Sequence, residues 1–295
     1  MGGKLATAVV TGARGIGYEV GRGLSRAGMR VIFGVRNPDL GDRATTAIRD
    51  ENQDADVTAE RVDLADLSSV AAFGERMRGR HDRLDVLVNN AGVVMPPRRE
   101  TTSDGFELHF GTNHLGHFAL TSELMPLLKA ANAPRVVVVG SLAHRWADID
   151  FDDLQSERRY RRMRAYGQSK LANLLFMTEL QRRSDVGGWG LMSAGAHPGF
   201  ARTEAILRPD DSQVKRAFTK AMSGFIPTSE SAARPIVYAA MSPDVTPAGY
   251  YGPSGPGEIG GHVGPAKLAA RAQDPALAAG LWDVSEELTT VGFGG

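Results

Sequence analysis

Ala6-Thr7-Ala8-Val9-Val10-Thr11-Gly12-Ala13-Arg14-Gly15-Ile16-Gly17 is the stretch on which the fold turns. Ala6 to Val10 is a short apolar run with β-branched residues, the pattern of a strand buried on both faces. Glycines then crowd into a turn, and a helical pattern near residues 17–28 follows. Outward from this unit the alternation repeats. Arg30 to Val35, Val57 to Val62, Val86 to Val88, Val136 to Gly140 and Leu191 to Ala196 read as further buried strands. Tyr250-Tyr251 supplies a short seventh. Segments near 40–52, 67–79, 104–130, 166–184 and 229–241 carry helical spacing. Apolar strands separated by helices predict an α/β fold with a parallel sheet covered on both faces.

The expected architecture is therefore a single doubly wound parallel sheet of Rossmann type, with about seven strands. No internal repeat or low-complexity linker interrupts residues 1–295, so one domain is expected. Three stretches stand apart from the core pattern. Residues 142–165 carry an acidic half (Asp148, Asp150, Asp152, Asp153) and then five arginines between Arg158 and Arg164. Residues 200–228 are largely apolar, with Phe200, Ile206, Leu207, Phe218, Met222, Phe225 and Ile226, and read as a substrate lid. Residues 252–295 form a Gly/Pro-rich loop and an amphipathic tail ending in Leu281-Trp282-Asp283-Val284 and Leu288.

Composition narrows the partners. Thirty-four basic and 34 acidic residues cancel, so no global field favours nucleic acid or an anionic membrane. The absence of cysteine excludes disulfides, thiolate metal sites and cysteine nucleophiles. No apolar run approaches the roughly eighteen residues needed to span a bilayer. The first strand begins too early to leave room for a signal peptide. The expectation is a soluble, cytoplasmic protein.

Glycines between a first strand and a first helix let the backbone approach a pyrophosphate, which the N–H groups of the helix N-terminus attract. Gly12, Arg14, Gly15, Ile16 and Gly17 are thus candidate phosphate contacts. Gly255-Pro256-Gly257-Glu258-Ile259-Gly260 also fits G-x-G-x-x-G, but no helical pattern follows it, and it reads as a loop. The second strand ends at Val35-Arg36, where an NAD-preferring site usually places an acid for the ribose hydroxyls. Arg36 instead offers a planar fork suited to a 2′-phosphate, with Arg14 as a second charge, and this predicts NADP. Asp63 and Leu64 close the third strand, where a carboxylate can bind the adenine amino group. Asn90, Ala91 and Gly92 close the fourth with residues small enough for a cofactor to lie close.

Tyr166 and Lys170 share one helical face, in a stretch whose Leu171, Leu174, Leu175 and Leu180 keep helical spacing. A cation beside a phenol favours its ionised form and suits it to proton transfer near neutral pH. Alone, such a pair is common in helices and weakly informative. Its weight comes from Asn113, Ser141 and the strand-end motifs already named.

Together these elements resemble the short-chain dehydrogenase/reductase family over nearly the whole chain: the Thr11–Gly17 turn, Asn89-Asn90-Ala91-Gly92, Asn113, Ser141, Tyr166-x3-Lys170, and Pro198-Gly199 with Thr203. Thr112-Asn113-His114-Leu115-Gly116-His117-Phe118 and Asp150-Phe151-Asp152-Asp153-Leu154-Gln155-Ser156 are similar to the retinol dehydrogenase and protochlorophyllide reductase-like group. Ser141 lies 25 residues before Tyr166, a longer spacing that also resembles this group. One departure is local: only Ala13 and Arg14 separate Gly12 from Gly15, a turn one residue short of the family's usual form.

The resemblance implies a nicotinamide-dependent oxidoreductase. Tyr166 would exchange a proton with the substrate oxygen, and Lys170 would lower the tyrosine pKa and bind the nicotinamide ribose. Ser141 would hydrogen-bond the same oxygen, and Asn113 would hold a water leading from Lys170 to solvent. Pro198, Gly199 and Thr203 would line the carboxamide end. The expected substrate is a bulky apolar ketone, aldehyde or secondary alcohol, with Val93, Val94, Met95 and Trp146 facing its cleft. A homodimer or homotetramer is the expected assembly. The rival reading is a non-catalytic NADP-binding or interaction protein on the same fold. A hydrolase is disfavoured because Gly140-Ser141-Leu142-Ala143 lacks the second glycine of a nucleophile elbow.

His109, His114 and His117 cluster, but only His114 and His117 share a face and no third ligand is evident, so packing is expected rather than metal binding. The Arg158–Arg164 run lacks interleaved stacking aromatics beyond Tyr160 and reads as a solvated helix with internal ion pairs.

Overall fold

A computed structural model describes residues 5–94, 96–199 and 228–293. Its centre is one sheet in the order β3-β2-β1-β4-β5-β6-β7-β8. The strands are β1 (Thr7–Thr11), β2 (Arg30–Val35), β3 (Val57–Arg61), β4 (Val86–Asn89), β5 (Arg135–Val139), β6 (Met192–Ala196), β7 (Tyr250–Pro253) and β8 (Val263–Pro265). The first seven run parallel; β8 folds back antiparallel on β7, pairing Tyr251 with Pro265 and Pro253 with Val263. The expected count of about seven is thus one strand short. β8 escaped notice because three residues containing glycine and proline carry no strand periodicity.

Helices cover both faces. α1 (Ile16–Arg26), α2 (Pro38–Glu51) and α6 (Ser229–Met241) bury Val20, Leu24, Ile48 and Ile236 with Val10, Phe33 and Val137 of the sheet. On the opposite face lie α3 (Leu67–Arg80), α4 (Gly116–Lys129), α5 (Arg162–Gly187) and α7 (Pro275–Thr289). They bury Phe73, Phe118, Leu171, Phe176 and Trp282 with Val9, Leu87 and Val136. Strand residues alternate between these two clusters, as the period of two requires.

Two expected helices differ in detail. The 104–130 segment does not become helical at once: Gly105 is left-handed (φ 88°), and the buried Glu107 carboxylate accepts from the N–H groups of His109 and Phe110. The chain then makes a widened π-type turn at Phe110–Leu115 before α4. The arginine-rich run is helical only from Arg162; ahead of it the chain is irregular, with Asp153 accepting from the Glu157 and Arg158 amides. One expected internal ion pair forms, Arg164 to Asp150 at 2.7 Å.

Register brings the strand ends together. Thr11 pairs with Gly34, Val10 with Val88, and Val139 with Ala196. The residues just beyond these carboxyl ends therefore line one edge, with the crossover reversing direction between β1 and β4. That is where ligands bind in open α/β sheets.

Candidate active site

The first turn is built on glycines. Gly12 and Gly15 are left-handed (φ 83° and 53°), a conformation that glycine adopts without steric cost. A methyl group on Gly17 would stand 2.3 Å from the Gly12 carbonyl oxygen and 2.6 Å from Asn90 Nδ2. The short turn still delivers the chain into α1 at Ile16, with Gly17 N–H donating to the Arg14 carbonyl at 3.1 Å. Glycine backbone at a helix N-terminus fits a pyrophosphate. Arg14 and Arg36 are exposed beside it. The Asp63 carboxylate accepts from the Ala65 amide at 3.0 Å, and Leu64 is buried.

Thr11 organises the neighbouring strand end. Its hydroxyl accepts from the amides of Asn90 and Ala91, both at 2.9 Å, and Asn90 Nδ2 donates to the Thr11 carbonyl at 2.8 Å. With both acceptor positions used, the Thr11 proton goes to His117 Nε2 at 2.9 Å. His117 Nδ1 then donates to the Asn113 carbonyl, also at 2.9 Å. Burial holds His117 down to about 4, and Lys170 pushes the same way, so the ring stays neutral and one tautomer satisfies every partner. His114 is likewise neutral and bonded to Ser285 Oγ, while His109 contacts the Glu107 carboxylate. Among the described residues no group of three candidate ligands could hold a metal.

Asn113 sits in the widened turn, fully buried. Its Oδ1 accepts from Val93 N–H at 2.7 Å, and Nδ2 donates to Ser169 Oγ at 3.0 Å. The side chain that the family resemblance assigns to a water is thus already partnered. Gly92 is exposed nearby, and a methyl group on it would come within 3.0 Å of Asn113 Oδ1.

Ser141 follows β5 and caps a short 3-10 turn, Leu142–Trp146, accepting from Ala143 N–H at 3.2 Å. The Ser141 hydroxyl faces the Tyr166 phenol and favours its ionised form. Lys170, one helical turn beyond Tyr166, is buried; its Nζ donates to the Val139 carbonyl at 3.1 Å and lies 6.0 Å from the Tyr166 ring centre. The electrostatics reverse one expectation. Tyr166 keeps some exposure, yet burial dominates and raises its pKa, with the Ser141 hydroxyl opposing. Lys170 is not among the groups that shift the phenol. Burial instead brings Lys170 itself down to about 8.

Pro198 and left-handed Gly199 (φ 69°) follow β6 at the same edge. Thr203, Met95 and residues 200–227 of the lid expected at 200–228 lie outside the described residues. Four neighbours escaped the sequence reading: His144, Arg145, His197 and Glu258. His144 Nδ1 donates to the Ser141 carbonyl at 2.6 Å, and His197 Nε2 lies 2.8 Å from the Glu258 carboxylate. Only the position of His197 ahead of Pro198 carried a signal.

A glycine cradle, a largely parallel sheet and a Ser141–Tyr166–Lys170 cluster at one edge define a dinucleotide-dependent oxidoreductase architecture. A model of the short chain dehydrogenase family matches residues 6–211. Retinol dehydrogenase 12 of Mus musculus is 39% identical over 281 residues, covering 95% of this chain and 85% of that protein. Retinol dehydrogenase 14 of Homo sapiens is 38% identical over 300 residues, again covering 95% and 85%. A crystal structure of an uncharacterized protein from Mycobacterium Paratuberculosis superposes with a TM-score of 0.80 at 38% identity, over 98% of this chain and 95% of that one. The Pseudomonas aeruginosa RhlG/NADP complex gives 0.65 at 25% identity, over 83% and 93%. This chain belongs to the short-chain dehydrogenase family and is an oxidoreductase acting on alcohols or carbonyls. Its fold is one that binds a nicotinamide cofactor.

Proposed function

We propose that the protein is an NADP(H)-dependent carbonyl reductase or alcohol dehydrogenase acting on bulky apolar ketones, aldehydes or secondary alcohols. The observation that carries this reading is the meeting of the Tyr166 phenol, the Ser141 hydroxyl and the buried Lys170 amine beside the glycine cradle. Gly12, Arg14, Gly15, Ile16 and Gly17 would hold the pyrophosphate, and Asp63, Leu64, Asn90, Ala91 and Gly92 the adenosine and its ribose. Pro198, Gly199 and Thr203 would take the carboxamide end. A nicotinamide bound there supplies or accepts the hydride.

The remaining chemistry belongs to the chain. In reduction, Tyr166 gives its proton to the substrate oxygen as negative charge develops there, and Ser141 donates to the same oxygen. A phenol raised by burial holds that proton until the substrate needs it. Lys170, charged below about pH 8, offsets the phenolate that remains and binds ribose hydroxyls. Asn113 holds the widened turn against Ser169 and Val93, and so fixes the helix that carries Tyr166.

NADP preference rests on Arg36, exposed at the end of β2 where no acid stands. Apolar substrates are supported by Val93, Val94 and the exposed Trp146 near the site, and by relatives named for retinol, itself a long apolar alcohol. The proposal includes a cytoplasmic homodimer or homotetramer without nucleic-acid partners, the last supported by the balanced charge; among the described residues no helix is long and apolar enough to cross a membrane.

The test is to titrate NADPH and NADH against intrinsic fluorescence and then follow ketone-dependent loss of reduced-cofactor absorbance. NADPH is expected to bind more tightly. Tyr166→Phe is expected to lower kcat by at least about 100-fold while cofactor affinity stays within a few-fold. Unchanged kcat removes Tyr166 from the chemistry. Tight NADPH binding with no turnover of any carbonyl in the panel favours the non-catalytic alternative.

A further inference from the structure

We propose that Glu258 is a positioning residue: its carboxylate, carried on the β7–β8 hairpin, fixes the turn after Ser141 relative to the His197-Pro198-Gly199 turn. The proposal rests on the site reading above, because these turns would flank the nicotinamide and the substrate oxygen.

The hairpin loop is shaped to bring this carboxylate inward. Ser254 N–H donates to the His262 carbonyl at 2.8 Å, and Gly255 N–H to the Gly260 carbonyl at 2.9 Å. Gly257 and Glu258 are both left-handed (φ 65° and 57°). A side chain other than glycine, asparagine or aspartate is uncommon there, and such backbone persists where its surroundings hold it. The glycines that imitate a phosphate motif thus serve a tight loop whose one charged side chain points into the fold.

Glu258 joins three segments. Oε1 accepts from Arg145 Nη2 and from the Lys267 amide, the latter at 3.2 Å. Arg145 belongs to the 3-10 turn that Ser141 caps. Oε2 lies 2.8 Å from His197 Nε2, off the ideal hydrogen-bond line. The proton is placed by the opposite nitrogen: His197 Nδ1 accepts from Gly199 N–H at 3.1 Å, so Nε2 carries the hydrogen and faces the carboxylate. A chain of contacts therefore runs from Arg145 through Glu258 and His197 to Gly199. The same C-terminal segment grips Ser141 a second time, since Ala269 N–H donates to His144 Nε2 while His144 Nδ1 holds the Ser141 carbonyl.

The packing leaves this arrangement little freedom. A methyl group on Gly252 would stand 2.0 Å from His197 Nε2, and one on Gly199 would stand 2.8 Å from the Glu258 carbonyl. Charge agrees with geometry. Burial disfavours the ionised Glu258, but Arg145, the Lys267 amide and His197 outweigh it and lower its pKa. Burial keeps His197 neutral, down to about 4, so the ring bridges without competing for the charge.

The experiment compares wild type, Glu258→Gln, Glu258→Asp and Arg145→Gln by steady-state kinetics and by amide hydrogen exchange of the ligand-free proteins. Glu258→Gln and Arg145→Gln are expected to lower kcat about tenfold with KM for the carbonyl within about twofold, since slight misplacement of reacting groups acts on turnover. Glu258→Asp, which keeps the charge, is expected to recover part of that loss. Exchange is expected to rise at least about fivefold in peptides covering 141–147 and 195–199, and to stay at wild-type rates in α3 and α4. Wild-type exchange in those two peptides, or a rise spread evenly over the chain, overturns the proposal. A wild-type protein that reduces no carbonyl overturns the catalytic reading, while the local exchange pattern still decides whether Glu258 holds the two turns.

Discussion

At the scale of single residues, Gly17 leaves no room for even a methyl group. The nearest atom to an added carbon is the Gly12 carbonyl oxygen at 2.3 Å, which belongs to backbone and cannot rotate aside. Gly17→Ala should therefore displace the first turn or the Asn90 side chain. The expected cost is about 1–3 kcal/mol, the range for overpacking, read as a lower urea midpoint at constant m. Dinucleotide affinity is expected to fall with it, because the displaced atoms form the cradle. Residues of this kind were legible in the sequence, since strand, glycines and helix are contiguous there. Tyr166 and Lys170 were legible for the same reason, being one helical turn apart. Glu258 was not: its partners Arg145 and His197 are distant in the chain, and its own neighbourhood imitates a phosphate loop. Nor could spacing show that burial outweighs the Lys170 charge at the Tyr166 phenol, because burial is a property of the folded whole.

At the scale of elements, α7 is part of the core and no mere appendage. Trp282 is almost wholly buried, with Phe118, Phe176 and Phe293 ring centres at 5.0, 5.7 and 4.4 Å and the Arg183 guanidinium 4.5 Å above it. Trp282→Ala is expected to cost about 3–5 kcal/mol, as large-to-small changes at aromatic core positions do. Chemical denaturation that shows less than about 1 kcal/mol would mean the helix is dispensable. Amphipathic spacing announced this tail and the starts of α3 and α6, whereas α1, α2 and α5 begin ahead of their apolar patterns. The late start at residues 104–110 was hidden because Glu107 caps through a buried carboxylate, where a surface glutamate would be the ordinary reading. β8 was hidden because its pairing, through Tyr251 and Pro253, is wholly non-local.

At the scale of the whole molecule, stability carries the mark of Lys170. The folded protein releases this proton near pH 8, whereas the unfolded chain keeps it to about 10.4. Between those values the unfolded state binds more protons, so stability rises with pH. The gain is about 2 kcal/mol from pH 8 to 9.5 by linkage arithmetic. Above about pH 10 the slope reverses, because burial keeps the Tyr166 and Tyr250 phenols protonated when the unfolded ones ionise. Urea titrations across this range should show the rise in the wild type and lose it in Lys170→Met. A flat wild-type profile would mean the amine is solvated.

The two outermost strands have a consequence for life at high concentration. An open β-edge is a template on which foreign strands add, the first step toward fibrils. Along β3, Arg49 donates to the Val57 carbonyl and Arg76 Nη2 to the Arg61 carbonyl at 2.5 Å, while Glu60 pairs with Arg76 and Arg80. Guanidinium groups thus occupy oxygens that an incoming chain would need. At the far rim β8 is only three residues long and closes on Pro265, which has no N–H to offer. Both margins are blunted, one by cations and one by brevity, so self-templated growth is discouraged from either side.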